Sequence, residues 1–129
     1  MIIGTVGNGG IVKTALSSLS GTGIRCTALW CRNGAKGKPL TEQFGIENLY
    51  TDYDLFLQDP SFDTVYVGLI NSLHYEFTKK AILAGKNVIC EKTLTGTLAE
   101  AEELVRTAKE KGVFLFEAIM LRYSRNYEA

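Results

Sequence analysis

The stretch Ile2-Ile3-Gly4-Thr5-Val6-Gly7-Asn8-Gly9-Gly10-Ile11-Val12 decides how the rest of the chain is read. An apolar run of strand length stops at Gly7, and residues with helical periodicity begin just beyond it. Ile11, Val12, Ala15, Leu16 and Leu19 share one helical face, and Gly21 ends the segment. A dinucleotide pyrophosphate needs three things. They are a tight turn, a residue without Cβ where backbone meets phosphate, and a helix N-terminus with free N–H groups. Gly7 fits the first requirement and Gly9 the second. Gly7, Asn8, Gly9, Gly10 and Ile11 are therefore candidate cofactor-binding residues. The third fingerprint position, usually Gly or Ala, is Val12, which predicts slightly looser packing of helix on strand. Taken alone, G-x-G is equally a plain glycine turn. Its place between a strand and a helix is what points to a nucleotide.

Outward from this turn, apolar β-rich runs recur at Ile24–Trp30, Val65–Ile70, Asn87–Cys90 and Val113–Phe116. Most are continuous rather than alternating, as expected of strands buried on both faces. A helical stripe of Leu73, Phe77, Ala81 and Ala84 lies between two of them, with Gly85 beyond its end. Leu98, Ala101, Leu104, Val105 and Ala108 form another, opened by Thr97 and Glu100 as a capping box and stopped by Gly112. The middle is weaker. Arg32 to Lys38 reads as a Gly/Lys loop, residues 40–44 as a short helix, and residues 48–50 as a short strand. Thr51-Asp52-Tyr53-Asp54 caps a short helix that Asp59-Pro60 terminates. Alternating strands and helices predict an α/β domain with a doubly wound, mainly parallel sheet. A closed ring of eight such units takes roughly 250 residues, so the 129 present exclude a complete barrel.

Fourteen Lys+Arg balance fourteen Asp+Glu, which argues against nucleic acid as a partner. No apolar run approaches the ~18–20 residues that span a bilayer, and Met1-Ile2-Ile3 begins no secretory signal. A membrane partner is not expected. Cys26, Cys31 and Cys90 fit no metal spacing, and His74 is the one histidine, so no metal site is expected. Three reduced thiols suit a cytoplasmic protein.

The ends of the later strands carry the remaining candidates. An NAD site places Asp or Glu at the end of the second strand, about 20 residues beyond the glycines. Here that strand ends Trp30-Cys31-Arg32-Asn33, without a carboxylate. Arg32 can hold a 2′-phosphate through charge-assisted bonds, with Lys36 and Lys38 adding positive charge, so NADP is favoured over NAD. A solvated loop arginine is the alternative. Asn71-Ser72-Leu73-His74 opens a helix at the carboxyl end of a parallel strand, where ligands sit in such sheets. Asn71 or Ser72 serves equally as an N-cap, and His74 as a structural hydrogen-bonding group. Glu91-Lys92 follows the next strand. Lys92 there can hydrogen-bond a substrate hydroxyl or carbonyl, or the two can form a surface ion pair. Glu117 and Arg122 are the only charges in the apolar run from Phe116 to Tyr123.

Together these motifs resemble the N-terminal domain of the glucose–fructose oxidoreductase / inositol dehydrogenase / MocA family over essentially the whole chain. The residues that carry the resemblance are Gly7-Asn8-Gly9-Gly10-Ile11, Asn71-Ser72-Leu73-His74-Tyr75-Glu76, Ala84-Gly85-Lys86-Asn87-Val88 and Glu91-Lys92. Phe116-Glu117-Ala118 with Arg122 is similar to the branch containing dihydrodiol and xylose dehydrogenases. The resemblance implies a Rossmann domain binding NADP or NAD. It implies that Leu69, Ile70, Asn71 and His74 line the cofactor cleft. Glu91 and Lys92 would lie by the nicotinamide, with Lys92 catalytic, and Arg122 near a domain junction. It further implies hydride transfer with a sugar, polyol or related hydroxy/keto substrate. A second domain absent from residues 1–129 would supply much of the substrate pocket and a homo-oligomer interface. The isolated domain is expected to bind dinucleotide with little or no catalysis.

The chain departs from the family where prolines are common, with Ile70, Thr93 and Arg125 in their places. In the family the bond after this lysine can be cis; without proline a cis bond would cost about 2.5–4 kcal/mol, so the loop is expected to be either trans or strained for function. Two other functions fit parts of the pattern. One is a non-catalytic dinucleotide sensor. The other is a mononucleotide-binding or receiver-like module, which gives Arg32 and Lys92 no special role and lacks the acidic residues a receiver needs on its first strand.

Overall fold

The computed structural model describes residues 1–118. Six strands form one parallel sheet: β1 (Ile2–Val6), β2 (Arg25–Trp30), β3 (Asn48–Tyr50), β4 (Thr64–Val67), β5 (Asn87–Glu91) and β6 (Leu115–Ala118). Their order across the sheet is β3-β2-β1-β4-β5-β6, and every neighbouring pair is parallel. The chain winds outward from β1 in one direction and then from β4 in the other. This reversal leaves a crevice beyond the carboxyl ends of β1 and β4, where doubly wound sheets bind ligands.

Five helices cover the two faces: α1 (Gly10–Ser17), α2 (Gly34–Phe44), α3 (Tyr53–Gln58), α4 (Asn71–Leu83) and α5 (Leu98–Lys111). Val12 and Leu16 of α1 and Leu40 of α2 pack with Ile3, Leu29 and Tyr66 on one face. On the other, Phe56 of α3, Ile82 of α4 and Leu104 of α5 pack with Val6, Val65, Val67 and Val88. Side chains of β1 and β4 contribute to both layers. That double burial explains why their sequences run apolar without alternation.

Several helix boundaries differ from the sequence expectation. The stretch read as a loop before residue 39 is helical from Gly34, because the Asn33 side chain accepts a bond from Ala35 N at 3.0 Å and caps the helix. A glycine-rich helix is tolerated because α2 lies close to β2: a Cβ on Gly37 would sit 2.4 Å from Cys31 Sγ. At α4, Ile70 rather than Asn71 or Ser72 holds the cap position, and no side chain caps it. Its buried stripe is His74, Thr78, Ala81 and Ile82, one position on from the predicted one, so the imidazole faces inward. Thr97 does cap α5, accepting from Glu100 N at 3.2 Å, and Gly112 closes it at φ +70°.

The opposite, amino end of the sheet is held by Asp59. Its carboxylate accepts from Tyr50 Oη at 2.7 Å, Ser61 N at 2.7 Å and Asn48 Nδ2 at 3.2 Å, and Lys86 lies beside it. Although burial alone pushes this carboxyl up, the Ser61 and Tyr50 bonds and the Lys86 charge prevail, and the group stays below the usual carboxylate range. A depressed folded pKa stabilises the fold above the unfolded value of about 3.9 and ceases to do so as pH falls through the lower folded value. Asp59→Asn should therefore cost about 1–2 kcal/mol near neutral pH, and the difference from the parent should shrink below about pH 4 in urea titrations.

Candidate functional site

At the switch point, Gly7 ends β1 with φ +107°, donating its N–H to Trp30 O at 2.8 Å. A Cβ here would lie 2.7 Å from Gly68 O on the neighbouring strand, so only glycine fits both the torsion and the space. Gly9 then occupies the N-cap of α1 with no side-chain cap, and the first turn holds no acidic residue. Nothing lies within 4 Å of a Cβ built on Gly9 or Gly10. The helix start therefore presents N–H groups towards open space, the environment that an anionic phosphate requires.

Val12, expected to loosen the packing, is fully buried. The space comes from the facing strand: a Cβ on Gly68 would meet Val12 Cγ2 at 2.6 Å and Tyr66 Cε1 at 3.1 Å. The small residue that this fingerprint usually carries on the helix is here carried by the strand end. Sequence reasoning passed over Gly68, although a glycine directly after Val67 was a visible signal.

Beside the glycine turn lies a cleft of about 320 Å³, lined by Gly7, Asn8, Trp30, Arg32, Asn33, Lys36, Leu69, Ile70 and Leu73. Three sequence-predicted segments meet there: the glycine turn, the Arg32 segment, and the Leu69-Ile70 segment. Arg32 and Lys36 are exposed side chains on one wall, Leu69, Ile70 and Leu73 form an apolar wall, and no carboxylate lines the cleft. Lys38, also counted as nearby positive charge, is not among the lining residues. Trp30 and Asn33 line it without having been singled out as ligand contacts.

The other candidates lie around this cleft rather than on its lining. Ile11 is partly exposed in the first turn of α1, and Asn71 is exposed at the start of α4. His74 is fully buried, with Nε2 2.7 Å from Leu69 O and Nδ1 2.6 Å from Thr93 O. Its ring thus joins a cleft-lining segment to the loop that follows β5. Lys92 is exposed at the head of that loop, and the Lys92–Thr93 bond is cis, the geometry that the missing proline disfavours. Thr93 O, the carbonyl of that bond's second residue, is the one held by His74.

Glu91 does not pair with Lys92. Its carboxylate accepts a short bond from the Tyr66 hydroxyl, while the ion pair among the described residues is Lys79–Glu103 at 2.6 Å. Burial and the Glu91 carboxylate both push the Tyr66 phenol far up, so Tyr66 remains a donor. Burial pushes the Cys90 thiol up to about 12, which keeps it protonated and unreactive near neutral pH. Arg122 lies outside the described residues.

Residues 1–119 match the family described as the oxidoreductase family with an NAD-binding Rossmann fold, GFO_IDH_MocA. The chain belongs to the Gfo/Idh/MocA oxidoreductase family. Among the relatives of this Gfo/Idh/MocA chain are dihydrodiol and xylose dehydrogenases. A trans-1,2-dihydrobenzene-1,2-diol dehydrogenase of Xenopus tropicalis is 34% identical over 114 residues, 88% of this chain and 34% of the relative. A D-xylose 1-dehydrogenase (NADP(+)) of Haloferax volcanii is 32% identical over 124 residues, 95% of this chain and 38% of the relative. The crystal structure of KijD10, a 3-ketoreductase from Actinomadura kijaniata, in complex with NADP superposes with a TM-score of 0.93 at 33% identity. The superposition covers 99% of this chain and 41% of that one. The chain thus spans 34–41% of the length of these relatives. It is an NAD(P)-binding Rossmann domain of the Gfo/Idh/MocA type. None of its described helices is long and apolar enough to cross a membrane.

Proposed function

We propose that this chain is the cofactor-binding part of a two-domain, cytoplasmic and homo-oligomeric oxidoreductase that prefers NADP to NAD and acts on a sugar, polyol or related hydroxy/keto compound. The observation that carries the cofactor preference is the cleft wall of Arg32, Asn33 and Lys36, with no carboxylate to receive a ribose 2′-hydroxyl. The NADP used by the Haloferax volcanii enzyme and bound in the KijD10 structure supports the same preference. The dehydrogenase and reductase activities of the relatives support the substrate class.

In this reading Gly7, Asn8, Gly9, Gly10 and Ile11 cradle the pyrophosphate through backbone N–H groups. Arg32 forks onto the 2′-phosphate, with Lys36 adding charge. Leu69 and Ile70 offer an apolar surface to the adenosine side, and Asn71 and Arg122 complete the cofactor contacts. His74 contributes through its place between the Leu69 and Thr93 carbonyls, and Glu91 through its anchor to Tyr66. The nicotinamide, when bound, supplies the hydride donor or acceptor. Lys92 Nζ hydrogen-bonds the substrate oxygen and holds a proton there. With much of the substrate pocket assigned to a second domain, residues 1–129 alone should catalyse little or nothing.

Calorimetric titration of the chain with NADPH and with NADH tests this reading, and NADPH should bind more tightly. Arg32→Ala should weaken NADPH by about 1.5–3 kcal/mol, the worth of a hydrogen bond to a charged group, and leave NADH nearly unchanged. Equal losses for both nucleotides would remove the 2′-phosphate assignment, and tighter NADH binding by the parent would reverse the preference.

A further inference from the structure

Lys92 stands at the start of a loop whose backbone is held from two sides. From α4, His74 takes Thr93 O. From β6, the Glu117 carboxylate accepts the Leu94 N–H, with Oε2 2.6 Å from the nitrogen. Nothing in the proposed cofactor or substrate contacts uses Glu117. Strand pairing accounts for its placement: β6 lies beside β5 in register, Cys90 opposite Glu117 and Glu91 opposite Ala118. A carboxylate at this register position reaches across the carboxyl end of β5 into the turn that carries Lys92. Oxygen of a carboxylate bonding to a backbone N–H is a charge-assisted contact, shorter and stronger than an amide–carbonyl bond. The same turn continues through Thr95, which is buried and donates its hydroxyl to Thr97 O at 2.7 Å, fixing the loop's far end at the α5 cap.

We infer that Glu117 is a positioning residue for Lys92. By holding the Leu94 N–H, it sets the course of the backbone on which the Lys92 side chain is mounted, one residue beyond the Thr93 carbonyl that lies against His74 Nδ1. The inference rests on the reading of Lys92 as the group beside the nicotinamide. A single strand residue thereby ties the edge of the sheet to the placement of the reactive group. It also explains why a charge stands in the apolar Phe116–Ala118 segment of an edge strand.

The test is made on the chain with its lysines reductively methylated with 13C, the Lys92 resonance being assigned by its loss in Lys92→Arg. In the parent, adding NADP+ should shift the Lys92 resonance, because a positively charged nicotinamide ring comes beside it. Glu117→Ala should bind NADP+ within about threefold of the parent, yet lose most of that shift, and its Leu94 amide should exchange about tenfold faster or more. Glu117→Gln keeps an oxygen to accept the Leu94 N–H and should restore the shift and most of the protection, which a merely bulk-filling role would not distinguish from alanine. If Glu117→Ala leaves the Lys92 shift intact, the positioning role is overturned while the Lys92 reading stands. If the parent itself binds NADP+ with no Lys92 shift, the Lys92 reading falls and this inference falls with it. Because Glu117→Gln is isosteric, a folding failure of the alanine variant leaves the comparison in force: a glutamine variant that loses the shift despite a protected Leu94 amide also overturns the role.

Discussion

Gly7→Ala should destabilise the domain by about 4 kcal/mol, through a strained left-handed torsion worth about 1–3 and an overpacked contact worth about 1–3. The two terms act together because the residue sits at φ +107° while its Cβ would press to 2.7 Å from Gly68 O. That oxygen belongs to backbone, so no side-chain rotation relieves the contact. The turn must instead open, moving Asn8 and Gly9 away from the start of α1. Against a total stability of about 5–15 kcal/mol such a loss is a large fraction, and any folded remainder should bind NADPH more than tenfold more weakly. Gly21 separates the two causes. It also has a positive φ, +78°, but nothing lies within 4 Å of its would-be Cβ. Gly21→Ala should therefore cost only about 1 kcal/mol and leave binding alone. Urea denaturation of both variants, with NADPH titration of each, checks the pair. Equal costs at the two glycines would mean that torsion alone matters at Gly7 and that the approach to Gly68 is unimportant.

The parts of the fold written in short-range pattern were legible in the sequence. Continuous apolar runs at β1, β2, β4 and β5, helical stripes between them and glycines beyond the helices led directly to a doubly wound sheet. The errors fall where a particular contact, adjacent or remote, overrides the local composition. Residues 34–38 are glycine- and lysine-rich and look unstructured, but Asn33 caps them and the close approach of β2 at Cys31 makes Gly37 a fitting helix residue. At the amino end of α4, Asn71 and Ser72 have the chemistry of caps, yet the helix begins one residue earlier and turns His74 into the core. The site shows the same division. Arg32 was traceable to a strand end, and Leu69 and Ile70 to the family resemblance; all three line one cleft with Gly7 and Asn8. The alternative of a Glu91–Lys92 surface pair is not realised, because Tyr66, a residue of β4 buried on the α1 side, claims the Glu91 carboxylate. No local pattern announces a phenol 25 positions away in sequence. The bond at Lys92–Thr93, left open between cis and trans by the sequence although the residue types there favour trans, is cis.

Gly68→Ala should cost about 3 kcal/mol, the upper end of the overpacking range of about 1–3, because its Cβ would meet side chains that cannot yield. Val12 Cγ2, 2.6 Å away, belongs to a fully buried β-branched residue on a helix, with one favoured rotamer, and Tyr66 Cε1 at 3.1 Å is held by the bond from its hydroxyl to Glu91. The contact also explains the unusual valine in the glycine fingerprint. If Gly68 supplies the space that a small residue at position 12 usually supplies, the two positions should trade roles. Val12→Ala alone leaves a cavity and should cost about 2 kcal/mol, the lower end of the range for larger aliphatic truncations. The double variant Val12→Ala/Gly68→Ala should cost clearly less than the sum of the single changes, with a favourable coupling of about 1–3 kcal/mol. NADPH affinity should follow the same cycle, weakened in Gly68→Ala and recovered in the double variant, since this packing sets how closely the N-terminus of α1 approaches the strand ends. Strict additivity in the denaturation cycle would show that Val12 and Gly68 do not share the space, and that the valine is accommodated by movement of the whole helix instead.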